Sequence, residues 1–375
     1  SCVGRSLGNN VAKGLMLKYP DGSVNFPEIG SIVSAACLAH DMGNPPFGHS
    51  GEKAIQTFFT EGPGSTLRDS VSPEFWSDIT HFEGNANAFR LLTHRFCGRR
   101  PGGFVMTYPT LASIVKYPYS SMLAGKKGKF GFFATEREVY ERIADDLGLR
   151  RLSAPGEPLR CARHPLVSLV EAADDICYEI MDIEDAHKLR LLSYEETERL
   201  LLGFFAAEEQ EHIRQRMVEE QLDDLNERVV YMRASAIGRL EGECVRAFVD
   251  NEGSILAGDF EGSLVEAVSP AVRYAYRRCA EVSRKRIYRS KPVLDVELSG
   301  YKIMATLMEQ MVDAVLHPDR YYSRQLIGRV SSQYDIASPD LETRLMAVID
   351  YISGMTDIYA LDVYQKMMGM ALPIV

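Results

Sequence analysis

The run HDMGNPPFGHSGE, residues 40–52, sets His40 beside Asp41 and His49 three residues before Glu52, in a chain that holds only 8 histidines. An imidazole nitrogen and a carboxylate oxygen together suit a divalent first-row cation, and one such pair leaves most coordination positions for other ligands. Residues three apart on a helix share a face, so Glu52 can fix the tautomer of His49 and raise its basicity. That makes a proton carrier for neutral pH. Pro45 and Pro46 end the preceding helix, and Gly43 and Gly48 let the backbone come close to a ligand. An HD dipeptide alone is commonplace at surfaces and caps. The continuation through PPFGH to the glutamate is what points to chemistry.

A second candidate lies in LVSLVEAADDICYEIMDIEDAHKL, residues 166–189. Asp174, Tyr178 and Asp182 recur every four residues and share one face of a helix. Carboxylates on an apolar helix are costly to bury unless a cation or donors meet them, so this face is a source of a further metal ligand. The competing reading turns some of these acids to solvent, with Glu171, Asp175 and Glu179 on the polar side.

The elements that must hold these groups are helices. Apolar residues at three- and four-residue spacing predict helix over 32–40, 51–59, 85–93, 136–147, 166–192, 194–205, 208–247, 264–287, 300–315 and 339–368. Alternation predicts a strand over 291–298 and a short hairpin around 130–134. Gly, Pro and Ser mark loops at 19–27, 62–78, 99–109, 117–129 and 153–165. Within one of them GKKGKF, residues 125–130, reads either as a phosphate-facing loop or as a solvated turn. Trp76 reads as a packing anchor in a loop, and His94, His164, His187, His212 and His317 as structural or solvent residues. His81 is open between a phosphate contact and a cap. Met304, Met308 and Met311 fall at helical spacing and read as core. The fold class is therefore mostly α, a helical bundle with additional helices and minor β content.

Composition narrows the class further. The 375 residues are 46% apolar and 25% charged, with net charge −10, values of a globular chain and not of a dedicated nucleic-acid scaffold. The 7 scattered cysteines, with no CxxC pair, read as thiols of a reducing cytoplasmic compartment. No apolar run approaches the ~18 residues of a membrane span. The most basic stretch, VRYAYRRCAEVSRKRIYRSK at 272–291, interleaves Tyr274, Tyr276 and Tyr288 with cations. It reads either as a grip for single-stranded DNA or a nucleotide effector, or as a solvated helix face.

Four ordered motifs resemble the deoxyguanosinetriphosphate triphosphohydrolase family of the HD-domain phosphohydrolases: HDMGNPPFGHSGE, HFEGNANAFRLL (81–92), EAADDICYEIMDIEDA (171–186) and VIDYISGMTDIYALDVY (348–364). The resemblance implies hydrolysis of a deoxynucleoside triphosphate, dGTP above all, to the deoxynucleoside and tripolyphosphate, with water attacking the α-phosphorus. It implies His40, Asp41 and Asp174 as ligands of Mg²⁺, Mn²⁺ or another first-row ion, His49 as the proton carrier and Glu52 as its orienting acid. Asn85, Lys116 and Tyr117 match triphosphate contacts. Arg137 stands where a lysine is usual, which keeps the charge but changes the hydrogen-bond geometry. Tyr178 resembles the residue packed on the deoxyribose and Asp182 the carboxylate reading its 3′-hydroxyl. Base-reading groups are expected around 350–356. The family's first metal-ligand histidine would precede Ser1, since Val3–Arg5 resemble the end of that motif. A boundary near residue 193 is expected, with an HD catalytic core over 1–192 and a helical region over 193–375 that completes the nucleotide pocket and carries homo-oligomer contacts, a hexamer by resemblance. Two other functions stay open on the residues: an HD phosphohydrolase acting on nucleoside monophosphates or cyclic nucleotides, and a non-catalytic HD module that binds nucleotide or single-stranded DNA.

Overall fold

Apolar spacing of three and four residues runs through most of the chain, and the computed structural model, which describes residues 1–20 and 28–370, turns nearly all of it into helix. In chain order these are α1 (Cys2–Lys18), α2 (Ile29–Ala39), α3 (His49–Thr60), α4 (Pro73–Thr80), α5 (Gly84–Thr93), α6 (Tyr108–Ile114), α7 (Arg137–Asp146) and α8 (Val167–Lys188). There follow α9 (Tyr194–Leu202), α10 (Ala207–Glu219), α11 (Leu225–Asp250), α12 (Glu252–Ala257), α13 (Pro270–Val282), α14 (Lys291–Leu316), α15 (Tyr321–Ile327), α16 (Leu341–Ser353) and α17 (Asp357–Met367). Isolated bridges such as Tyr119 with Arg160 and Ser120 with Phe132 replace the hairpin expected at 130–134, and no sheet forms among the described residues. Most of the loop expected at 19–27 lies outside the described residues.

The strand predicted over 291–298 is instead the opening of α14. Pro292 suits a first helical turn, and Leu294, Val296 and Leu298 stay exposed, so that stretch extends the amphipathic helix behind it. The long run over 208–247 breaks into α10 and α11, because Gln221 takes a positive φ of 55° and Asp224 accepts from the N–H groups of Asn226 and Glu227 as a new N-cap. The run over 339–368 likewise breaks at Gly354, after which Thr356 caps α17. Trp76 sits in α4, not in a loop, edge-on to Phe59.

Two compact units divide the chain and interleave in sequence: Ser1–Leu38 with His164–Leu294, and Ala39–Arg163 with Asp295–Val375. The boundary expected near residue 193 falls inside the first of them. That first unit packs α1, α8 and α11 through Leu7, Val11 and Leu15, Ile176, Ile180 and Ile183, and Met232, Ala236 and Leu240, all buried. In the second, Phe58, Phe59, Ile79, Phe82, Phe130 and Phe133 meet Met304, Leu307, Met308 and Met311 of α14 and Leu345, Ile349 and Ile352 of α16.

One close approach decides where the HD turn sits. A Cβ on Gly43 would fall well inside 3.0 Å of the Ala88 nitrogen and the Gly84 carbonyl oxygen, so this turn rides directly on the backbone of α5. Gly43→Ala is expected to destabilise by about 1–3 kcal/mol or more, because the obstacle is backbone and cannot rotate away. Gly238, in α11, faces open space, and Gly238→Ala is expected to stabilise by about 0.5–1 kcal/mol. Paired thermal denaturation of the two variants checks both signs.

Candidate functional site

In the second unit, α2 ends at Ala39 and a 3-10 turn, His40–Gly43, follows. His40 Nε2 lies 3.4 Å from Asp41 Oδ2, and Asn44 Nδ2 donates to Asp41 Oδ1 at 2.9 Å. The His40 ring is largely covered while Asp41 is exposed, so the pair turns one imidazole nitrogen and one carboxylate toward a common edge. Their chemistry and spacing fit two neighbouring ligands of a divalent cation. No cluster of three or more His, Cys, Asp and Glu side chains able to hold a metal forms among the described residues.

Pro45, Pro46, Phe47 and Gly48 then reverse the chain. Phe47 and Gly48 both take positive φ, 61° and 55°, and His49 opens α3. His49 Nδ1 stands 3.0 Å from Glu52 Oε2. An ionised carboxylate only accepts, so Nδ1 carries the proton and Nε2 is the atom left to exchange one. Nε2 belongs to a side chain that is 88% exposed, whereas Glu52 behind it is buried. The hydrogen bond to Glu52 is the main reason His49 holds its proton above the ordinary value of 6.5; burial and Lys129 pull the other way. Burial pushes the Glu52 carboxyl up, but the His49 hydrogen bond, the Gly84 N–H and Lys129 together hold it below 4.5. The Gly84 N–H donates to Glu52 Oε1 at 2.8 Å, and a Cβ on Gly84 would meet Asn44 Oδ1 at 2.5 Å and Glu52 Oε1 at 3.0 Å. The FEGN motif therefore serves the dyad through its glycine.

The neighbouring Asn85 is held by Glu83, whose two oxygens each accept from Asn85 Nδ2 at 3.0 Å. Lys116 is half-buried, with its ammonium 5.9 Å from the centre of the Tyr117 ring. Arg137, the first residue of α7, lies 4.0 Å from Glu74. His81 hydrogen-bonds through Nδ1 with the Ser77 carbonyl at 2.9 Å, the capping arrangement.

In the first unit, Asp174, Tyr178 and Asp182 share a face of α8, and the face is open. Asp174 is exposed and Tyr178 is 58% exposed. The acids that α8 buries are instead Glu179 and Glu184, held by Ser283 Oγ at 2.7 Å and by Arg233 and Lys188. Asp182 accepts from the Tyr288 hydroxyl at 2.6 Å, and the Tyr288 ring lies 6.2 Å from that of Tyr178. Burial raises the Asp182 carboxyl above its usual value, against the Tyr288 bond. The basic stretch around Tyr288 is matched by acids: Arg277 to Glu266, Arg278 and Lys285 to Glu281, and Arg286 to Glu196.

Asp350 is not free to read a base. It is buried and accepts from Arg90 Nε and Nη2, both at 2.8 Å. Sequence reasoning had not singled out Glu83 or Tyr288 for these roles, nor Lys129, whose ammonium lies on Glu83. The one signal was their place inside the FEGN, GKKGKF and Arg/Tyr segments.

The phosphohydrolase-associated domain family matches residues 267–366. A deoxyguanosinetriphosphate triphosphohydrolase-like protein of Pseudomonas aeruginosa is 37% identical over 382 residues, covering 100% of this chain and 84% of the relative. One of Synechocystis is 35% identical, covering 99% and 84%. The deoxyguanosinetriphosphate triphosphohydrolase of Yersinia enterocolitica is 26% identical over 90% of this chain and 78% of its own. The chain belongs to the deoxyguanosinetriphosphate triphosphohydrolase family of the HD-domain phosphohydrolases.

Proposed function

We propose that this protein hydrolyses deoxynucleoside triphosphates, dGTP foremost, to the deoxynucleoside and tripolyphosphate. The observation that carries this reading is the His49–Glu52 pair at 3.0 Å, with Nε2 outward and the carboxylate fixed by the Gly84 N–H. In the reaction the water oxygen bonds to the α-phosphorus and the bond from phosphorus to O5′ breaks. One proton leaves the water and one reaches the departing O5′. His49 Nε2 accepts and gives that proton, while Glu52 holds the ring and balances the imidazolium.

His40, Asp41 and Asp174 would hold the divalent ion that the family's chemistry calls for. Bound there, the ion would supply Lewis-acid charge and a more acidic water. Lys116, Asn85 and Arg137 are the polar groups assigned to the triphosphate, and a chain of net charge −10 needs such local donors to attract a tetra-anion. Tyr178 is assigned to the deoxyribose and Asp182 to its 3′-hydroxyl, where a close fit would reject a ribose.

The test incubates full-length protein with each of the four dNTPs and Mn²⁺ or Mg²⁺ and separates the phosphate products by ion exchange. Tripolyphosphate with free deoxynucleoside is the expected outcome, and the fastest dNTP defines the base preference. Orthophosphate or pyrophosphate as the first product would overturn the reading, and so would the absence of turnover with any dNTP.

A further inference from the structure

Within the basic stretch over 272–291 the helical register changes. α13 ends at Val282 and runs directly into a π turn, Ser283–Ile287, closed by the Tyr288 N–H on the Ser283 carbonyl at 3.1 Å. Such a turn holds one residue more than an α turn and recurs at functional sites. Here the extra residue has a definite geometric effect. At about 100° per residue, side chains five apart on an α-helix point ~140° away from each other. Bonding residue 288 back to residue 283 stacks the two instead, so both side chains reach α8.

Each makes one hydrogen bond there. Ser283 Oγ donates to Glu179 Oε1 at 2.7 Å, and the Tyr288 hydroxyl donates to Asp182 Oδ2 at 2.6 Å. Glu179 and Asp182 are three residues apart and share a face of α8. The two bonds differ in setting. Ser283 is fully buried and Glu179 is 6% exposed, whereas Asp182 and Tyr288 are half-buried, the Tyr288 ring 6.2 Å from that of Tyr178. The inner bond is an anchor, because a buried carboxyl that lost its donor would be left with neither water nor partner. The outer bond orients a carboxylate at the open face. Arg286, inside the same turn, is tied to Glu196 at 2.7 Å and to the Leu191 carbonyl at 2.8 Å, so the turn is held on its solvent side too.

We infer that Glu179 is a positioning residue for the sugar end of the site, holding the π turn through Ser283 so that Tyr288 fixes the orientation of Asp182. The inference rests on the assignment of Asp182 to the 3′-hydroxyl. It places a control on substrate choice in the buried interior of the first unit. Without the anchor the turn relaxes toward α register, the Tyr288 side chain swings off α8, and Asp182 no longer presents a fixed oxygen. The loss falls on substrates that carry a 3′-hydroxyl and spares those that lack it, because only the former use Asp182. A general loss of packing would weaken both alike.

The experiment compares dGTP with 2′,3′-dideoxyguanosine triphosphate under Mn²⁺ in full-length protein. It reads kcat/KM and, with His49→Gln added to every protein to stop turnover, Kd by calorimetry. The wild type is expected to favour dGTP at least about tenfold by both measures. Glu179→Leu is expected to cut that ratio at least about fivefold, through a higher KM for dGTP with kcat within about threefold of wild type. Ser283→Ala should move the same way. Glu179→Gln, whose carbonyl still accepts from Ser283, should keep the ratio within about twofold of wild type. Glu179→Leu/Ser283→Ala leaves neither polar group unpaired and serves if a single variant fails to fold. An unchanged ratio in Glu179→Leu or in the double variant overturns the inference, as does a glutamine variant that shifts as far as the leucine one. A wild type that does not distinguish the two nucleotides overturns the assignment of Asp182 and the inference with it. A moved ratio of Kd values in a protein that releases no tripolyphosphate overturns the proposed reaction and leaves the positioning role standing. Tripolyphosphate release with an unmoved ratio does the reverse.

Discussion

His49→Gln is expected to lower kcat on dNTPs by about 10²–10⁴, with little change in thermal midpoint. The two expectations come from the same geometry. The ring projects into solvent from the first turn of α3, so few packing contacts are lost with it. The proton transfer assigned to it cannot pass to its partner in the pair, because Glu52 is buried and already accepts from Gly84. Glu52→Gln should cost activity by a different route. An amide can offer either end to the ring, so the tautomer that leaves Nε2 outward is no longer enforced. The hydrogen bond that raises the His49 proton affinity is also weakened. The limb of the pH–rate profile due to His49 is expected above 6.5 in the wild type, and in Glu52→Gln it should move down toward that value. The same signs govern stability: the pair's contribution is full between 4.5 and 6.5, and it fades as pH rises through the folded value of His49 or falls through that of Glu52. Steady-state kinetics from pH 5 to 9 on both variants tests the assignment. A His49→Gln enzyme with kcat within tenfold of wild type would remove His49 from the chemistry.

How much of this was legible in the sequence follows from the range of each contact. His49 and Glu52 are three residues apart on one helix, and periodicity alone brings them together. Asp174, Tyr178 and Asp182 share a face for the same reason, but spacing says nothing about what covers a face. Asp174 is exposed and Asp182 half-buried, while Glu179, which the competing reading put on the polar side, and Glu184 are the acids that α8 buries. The Glu83–Lys129 pair spans 46 residues between a turn and a loop, a separation to which no local pattern is sensitive. The misread strand at 291–298 has a related cause. Val and Leu alternate there with acids, but a strand needs a partner to take its backbone hydrogen bonds, and none forms among the described residues. The breaks at 220–224 and 354–356 were marked by Asp224, Gly354 and Thr356, residues whose capping role competes with a long apolar period.

Arg90→Met is expected to destabilise the second unit by about 3–5 kcal/mol, the largest single effect on stability anticipated here. Arg90 is buried on α5 and its guanidinium holds two buried carboxylates. Nε and Nη2 take Asp350 of α16 in a two-pronged bond at 2.8 Å each, and Nη1 donates to Glu136, just before α7, at 2.6 Å. His94 Nδ1 closes the cluster at 3.2 Å from Glu136. One cation thus ties two other parts of the unit, α16 and the segment before α7, to the helix whose start carries Glu83, Gly84 and Asn85. Methionine fills much of the volume but leaves both carboxylates buried without their donor, and that desolvation is what costs stability. Arg90→Lys keeps the charge and loses the planar fork, so it should fall between wild type and methionine. The triple replacement Arg90→Met/Asp350→Leu/Glu136→Leu should recover most of the loss, because no unpaired charge remains. Acidity supplies the second check. Burial pushes the Glu136 carboxyl up, but Arg90 and the His94 hydrogen bond hold it below 4.5. Its contribution is therefore present above 4.5 and is lost as pH falls through the folded value. The wild-type advantage over Arg90→Met should narrow as denaturation is repeated at successively lower pH below 4.5. A loss smaller than about 1 kcal/mol at neutral pH, or a gap that widens on acidification, would mean that packing rather than charge pairing joins α5 to α16.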